Sequence, residues 1–261
     1  MSTIWRFVQG LFRQHTTEAD TLSPRLDLNG AHEQIQSPLF RLPPEIRHQI
    51  FEELLGHQTI HVDTRDPSGF SNRSTGRDGS IRGRPCTHML RRGVWRHPCW
   101  DTVSVDDKGL LPLLLSCRRL YGETAPILYG TTRFDLPSLN SMTALFVRLP
   151  RHHLDAVRSV RLFVNLLVPP GQGTTLYEPY TGMWRDLSTM EGLRELRVCI
   201  ALAMQIDSIW EHRAAYFDPM KQIRHLSVFE VYIPPDTSQL PDGVVNYVPG
   251  CRIAGWDVWK R

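Results

Sequence analysis

Leu154-Asp155-Ala156-Val157-Arg158-Ser159-Val160-Arg161-Leu162 recurs as Met190-Glu191-Gly192-Leu193-Arg194-Glu195-Leu196-Arg197-Val198, and again as Met220-Lys221-Gln222-Ile223-Arg224-His225-Leu226-Ser227-Val228. The copies share one layout. An apolar residue closes a helical pattern, a second follows three positions on, then an arginine, then apolar residues at every other position. Alternation with period two marks a half-buried strand, so each copy predicts a turn from helix into strand. The copies are 36 and 30 residues apart, room for one helix and one strand apiece. Such a unit cannot bury both apolar faces alone and must stack on its neighbours. Parallel strands joined through helices then make a small parallel sheet.

Thr131 to Leu136 reads as a strand ahead of the first unit, followed by a helix near Ser138 to Leu149. Pro169 to Thr175 and Pro234 to Ser238 are turn-rich stretches that stop the preceding strands. The expectation for residues 131–261 is an irregular half-solenoid of helix–strand units. It is similar to leucine-rich repeats but lacks the asparagine ladder of the regular form. Arg158, Arg194 and Arg224 hold the same place in each copy, so stacking predicts an arginine ladder along one edge. There a guanidinium either binds carbonyls at the helix C-terminus or reads carboxylates on a partner.

The front of the chain carries a second informative stretch, Leu39 to Leu55. Pro43 and Pro44 stand where a missing N–H costs a helix nothing, and Glu45 suits the first turn. Ile46, Ile50, Phe51, Leu54 and Leu55 recur at helical spacing and predict one broad apolar stripe, with Leu39, Phe40 and Leu42 stapling its entrance. Gly56 supplies a stop. A helix this short must dock on something. Gln58 to Val62 and Thr102 to Val105 read as short strands able to pair antiparallel. From Leu110 a second helical block begins. Leu113, Leu114, Cys117, Leu120 and Tyr121 fall on its buried face and Arg118 and Arg119 on the other, while Gly122 and Pro126 weaken the helix without ending it.

Between the blocks, Arg65 to Arg96 holds eight arginines and no lysine against Asp66 and Asp78. Such a segment either seeks phosphate or is a solvated insertion, and the lack of an aromatic stacking platform interleaved through it favours the insertion. Within it, Cys86 and His88 mirror His97 and Cys99 about Arg92-Gly93. A hairpin centred there puts two thiolates and two imidazoles on one face, a donor set that suits tetrahedral zinc. Cys-x-His is an unusual spacing for such a site, and Arg-Gly is a poor two-residue turn.

Leu42-Pro43-Pro44-Glu45-Ile46-Arg47, with Ile50-Phe51 and Leu54-Leu55, and then Leu113-Leu114-x-x-Cys117-Arg118-x-Leu120-Tyr121-x-Glu123-x-x-Pro126-x-Leu128-Tyr129, resemble the F-box-like proteins of filamentous fungi, most of them known only as domains of unknown function. The resemblance implies a helical unit that docks on the Skp adaptor of a cullin ubiquitin ligase. It assigns Leu42, Pro43, Ile46, Ile50, Leu54, Leu114 and Cys117 to the positions that build or present the docking surface. This chain departs from an F-box by placing residues 56–109 between the two blocks.

The organisation expected is therefore α+β: a flexible N-terminal segment over 1–36, an F-box-like helical part over 37–130 with an inserted loop at about 64–100, and the repeat part over 131–261. The first dozen residues, with Trp5, Phe7, Leu11 and Phe12 and with Arg6 and Arg13 among and after them, read as a tail, a packing helix or a weak targeting segment. A net charge of +3 and 22% charged residues are ordinary for a globular chain and do not call for nucleic acid. Five cysteines without a dense framework point to a reducing, intracellular setting, cytoplasmic or nuclear. The run Leu110 to Leu115 is too short to span a bilayer. The chain has no nucleophile elbow, no zinc-protease signature and no phosphate-binding loop, so no enzyme and no cofactor is expected. The function expected is a non-catalytic interaction module with a protein partner, an adaptor, a target or both. The alternative is nucleic-acid or zinc binding through the arginine-, histidine- and cysteine-rich insertion.

Overall fold

A computed structural model describes residues 34, 36–63, 82–85, 116–166, 170, 174, 177–202, 211–233 and 247–255. Two helices, α1 (Pro38–Arg41) and α2 (Pro44–Leu55), lead into β1 (Thr59–Asp63) and β2 (Arg82–Pro85). After α3 (Arg118–Thr131) come β3 (Arg133–Leu136), α4 (Leu139–Arg148), α5 (Arg151–Leu154) and β4 (Ser159–Leu166). Next are α6 (Tyr177–Ser188), β5 (Glu195–Leu202) and α7 (Arg213–Phe217), which continues as a 3-10 turn over Asp218–Gln222. Strands β6 (Val228–Ile233) and β7 (Arg252–Gly255) close the described chain. The order of strands in the single sheet is β2-β1-β3-β4-β5-β6-β7. All neighbours pair parallel except β2, which runs antiparallel to β1. The architecture is α+β, with helices in front and then helix–strand units whose strands add to the sheet in chain order.

Local sequence accounts for the element boundaries. Ser138 caps α4 by accepting from the Ser141 N–H, and α3 passes through Pro126. One phase of each strand packs on the helices: Phe134 and Leu136, then Val160, Leu162 and Val164, then Leu196, Val198 and Ile200, then Phe229, Val231 and Ile233. Against them lie Met142 and Leu145 of α4, Tyr180, Met183, Trp184 and Leu187 of α6, and Tyr216 and Phe217 of α7. Tyr180 and Trp184 are fully buried, and the Tyr180 hydroxyl donates to the Tyr216 carbonyl at 2.8 Å, which removes the cost of burying it. The units also interlock at their turns. A Cβ on Gly192 would lie 1.8 Å from the Asp155 carbonyl oxygen, so only glycine lets the second turn approach the first this closely.

The structure corrects several expectations. The antiparallel partner of β1 is Arg82–Pro85, inside the arginine-rich insertion, whereas Thr102 to Val105 lies outside the described residues. Cys117 is not on the buried stripe of α3; it has extended backbone, stands as the N-cap and accepts from the Leu120 N–H at 3.4 Å. Gly56 caps α2 at an ordinary φ of −72°, and His57 takes the left-handed conformation at φ 58°. The third repeat is offset. Ser159 pairs with Glu195 and Glu195 pairs with Val228, so Ser227, not Arg224, stands level with Arg158 and Arg194. His225, at φ 65°, begins a three-residue excess before β6. An odd offset reverses the pleat, so Phe229, Val231 and Ile233 face the helices.

The arginine ladder thus has two rungs. Arg158 Nη1 donates to the Gly192 carbonyl of the next unit at 2.9 Å. Arg194 Nη1 donates to the carbonyls of Glu191 and Leu193, at 3.0 and 2.9 Å. These contacts bind carbonyls of the turn, as the structural option required. The backbone continues the ladder, since the Arg158 carbonyl accepts from the N–H groups of Arg194 and Glu195, and the Arg194 carbonyl from those of Ser227 and Val228.

Candidate functional site

The front helices have a small core of their own, made by Phe51 and Leu55 of α2 with Leu120 and Ile127 of α3. Leu39, Phe40, Ile50, Cys117 and Leu128 pack around it. The broad stripe expected on α2 is therefore divided. Phe51 and Leu55 face inward, whereas Ile46 and Leu54 are 42% and 43% exposed and Leu42 is 36% exposed. Ile46 and Leu54 are eight residues apart on α2 and lie on its outward side with half-buried Ile50 between them, while Leu42 is exposed in the extended corner just ahead of the helix. Pro43 is also exposed, and Ile50 is half-buried at the junction of the two faces. Apolar side chains exposed together on a polar helix are the kind of surface that marks an interaction site.

Sequence reasoning missed the polar lock behind this surface. Arg47 is 5% exposed, unusual for an arginine. Its Nε and Nη2 donate to the two carboxylate oxygens of Glu123 on α3, at 2.7 and 2.8 Å, and Nη1 donates to the Leu42 carbonyl at 2.6 Å. Arg119 Nε donates to Glu123 at 3.3 Å, and the guanidinium carbons of Arg119 and Arg47 lie 4.6 and 5.7 Å from the centre of the Phe40 ring. Burial alone would raise the Glu123 carboxyl, but hydrogen bonds from Arg47 and Arg119 outweigh it and hold the group below its usual range. The bond to Glu123 likewise raises Arg47. The signal was in the sequence as two charges inside apolar patterns, the Arg of Glu45-Ile46-Arg47 and the Glu of Tyr121-Gly122-Glu123.

A second charged group is buried on the sheet face opposite the helices. His61, Asp135 and Arg161 occupy register-matched positions on β1, β3 and β4. His61 Nδ1 lies 2.8 Å from Asp135 Oδ2, and Arg161 Nε lies 4.0 Å from Asp135 Oδ1. Burial pulls Arg161 below its usual pKa against the opposing pull of Asp135. Farther along the face, Glu195 and Glu230 flank Arg197, at 2.8 and 3.0 Å. Each of these residues sits in the polar phase of a strand; their burial was not legible from that phase.

At the joint between the front helices and the sheet, Tyr121 Oη lies 2.6 Å from His153 Nε2. The His153 ring stacks on Tyr129 at 4.4 Å. Burial, with His152 adjacent, lowers His153 to about 4.

Of the residues expected to act, Leu42, Pro43, Ile46, Ile50, Leu54 and Cys117 gather on the front helices, the last as a cap. Leu114 lies outside the described residues, as do Cys86, His88, His97 and Cys99, and nearly all of residues 1–36. Among the described residues no group of three or more His, Cys, Asp or Glu side chains is placed to hold a metal, and no helix is long and apolar enough to cross a membrane. No curated protein and no solved structure matches the chain. A family model described as a domain of unknown function (DUF7730) matches residues 32–245, taking in the front helices, the polar lock and the stacked strands up to β6. The chain belongs to the DUF7730 family.

Proposed function

We propose that the protein is a non-catalytic interaction module: an F-box-like substrate adaptor whose front helices dock on the Skp-type adaptor of a cullin ubiquitin ligase, while the leucine-rich-repeat-like sheet part presents a surface to a target protein. The observation that carries this reading is the exposure of Ile46 and Leu54 on a helix already anchored through Phe51 and Leu55, with exposed Leu42 in the corner that leads into it. A helix that is anchored on one face and apolar on another has surface to spare for a partner, and a few such anchors supply most of the affinity in an interface. The sequence resemblance falls on the same residues.

The test is association with immobilised Skp-type adaptor. Ile46→Asp places a charge beside the exposed Leu54 and should abolish capture while leaving the circular dichroism spectrum unchanged and the melting temperature close to wild type, because Ile46 lies outside the buried core of Phe51, Leu55, Leu120 and Ile127. Val147→Asp, on α4 and 64% exposed, is the matched control and should bind as wild type. Equal capture of both variants would reject this docking face.

A further inference from the structure

We propose that Arg47 is the positioning residue of the docking surface: held by Glu123 of the second helical block, its guanidinium fixes the corner between α1 and α2 that carries Leu42 and Pro43. The inference rests on the docking reading for its consequence, and on geometry for its mechanism.

The corner has no cap of its own. Ser37 before α1 and Pro43 before α2 make no side-chain capping bond, and Leu42, between the helices, has extended backbone with φ −71° and ψ 148°. Its backbone is tied locally by the Leu42 N–H to the Leu39 carbonyl at 3.2 Å, and by the Ile46 and Arg47 N–H groups to the Pro43 carbonyl, both at 3.1 Å. The side-chain tie is Arg47 Nη1 on the Leu42 carbonyl. That nitrogen can point there because the other two, Nε and Nη2, are both spent on Glu123. Three nitrogens of one rigid plane thus join three pieces of chain: α2, the corner and α3. A lysine has charge for the carboxylate but no planar fork to reach both partners at once.

The lock also answers a topological problem. Residues 56–117 separate α2 from α3. Closing so long a connection costs entropy, so the two blocks need contacts that hold them together. The apolar core of Phe51, Leu55, Leu120 and Ile127 supplies association, which is not directional. The Arg47–Glu123 fork supplies the angle.

The experiment uses the full chain with Arg47→Lys, Glu123→Gln and the exchanged pair Arg47→Glu/Glu123→Arg. Amide hydrogen exchange is read at Leu42, Ile46 and Arg47, with Phe51 and Leu120 as core references, and adaptor affinity is measured in parallel. In Arg47→Lys and in the exchanged pair, exchange at Leu42 and Ile46 should quicken about tenfold while Phe51 and Leu120 stay protected. The exchanged pair restores opposite charges but offers the Leu42 carbonyl no donor from position 47, so it regains melting temperature without regaining the corner. Glu123→Gln should loosen the corner less, because Arg47 keeps its donors. Adaptor affinity should fall about tenfold wherever the corner loosens. Unchanged exchange at Leu42 and Ile46 in Arg47→Lys would overturn the inference. So would a uniform rise across Phe51 and Leu120, which would make Arg47 a general stabiliser. If wild type fails to bind the adaptor, the docking reading falls, and the exchange pattern still decides the role of Arg47.

Discussion

Lowering the pH from 7 to 5 should cost the fold about 2 kcal/mol through one side chain, His153. The ring is 7% exposed, stacked on Tyr129 at 4.4 Å, with Tyr121 Oη 2.6 Å from its Nε2. With the proton on Nδ1, Nε2 accepts from the phenol, and burial raises the Tyr121 pKa so that the phenol keeps its proton. In the fold the ring titrates at about 4; in the unfolded chain it titrates near 6.5. Well above pH 6.5 both states are neutral and the ring contributes no pH dependence. As the pH falls through 6.5 the unfolded state takes up a proton that the folded state refuses, so stability declines until the ring is protonated in both states below about 4. Linkage over that window gives a loss of about 2 kcal/mol between pH 7 and 5. Urea denaturation at pH 7, 6 and 5, on wild type and His153→Phe, isolates the term, because other titrating groups are common to both proteins. Phenylalanine keeps the stack on Tyr129 and removes the titration, at a pH-independent cost of about 1–2 kcal/mol for the lost hydrogen bond. The wild-type stability should slope downward in acid relative to the variant. Parallel profiles would refute the reasoning and show that the ring accepts a proton within the fold.

Gly192→Ala should cost about 3 kcal/mol or more in urea denaturation, because its Cβ would meet the Asp155 carbonyl oxygen at 1.8 Å, whereas Gly130→Ala, in a helix with nothing nearer than 3.9 Å, should be neutral or stabilising. Trp184→Ala, at a fully buried position against Tyr180 and Phe229, should cost about 3–5 kcal/mol by the same assay. Arg194→Ala should lower stability by about 1 kcal/mol through the lost bonds to Glu191 and Leu193, while exposed Arg224, which is off the ladder, should change it by less than about 0.5 kcal/mol.

The sheet was legible because its signal is redundant. Val160, Leu162 and Val164 alternate with Arg161 and Phe163, the same alternation returns in Leu196, Val198 and Ile200, and each run follows a helix-closing residue. The third strand misled because Leu226 and Val228 are also apolar at alternate positions; a left-handed His225 and one extra turn of chain shift the true inward phase to Phe229 and Val231. Backbone conformation at a single histidine leaves no trace in an apolar pattern. On α2 the spacing identified a helix and its apolar residues but not which of them face inward. That choice depends on where α3 lies, and α3 arrives 62 residues later through contacts of Phe51 and Leu55 with Leu120 and Ile127. Arg47 and Glu123 showed only as charges inside apolar patterns for the same reason, since each looks like a solvated charge until the other is placed beside it. Cys117 fell on the helical face by counting, yet its short polarisable side chain serves the helix start.

If the docking proposal holds, α2 carries a surface for a Skp-type adaptor. Isothermal titration of the purified chain with a Skp-type adaptor, repeated at several temperatures and with the Ile46→Asp/Leu54→Asp variant, tests it most directly. One-to-one binding with a negative heat-capacity change, the mark of buried apolar surface, is expected for the wild type, and no measurable binding for the variant. Absence of binding by the wild type, or equal binding by the variant, would contradict it.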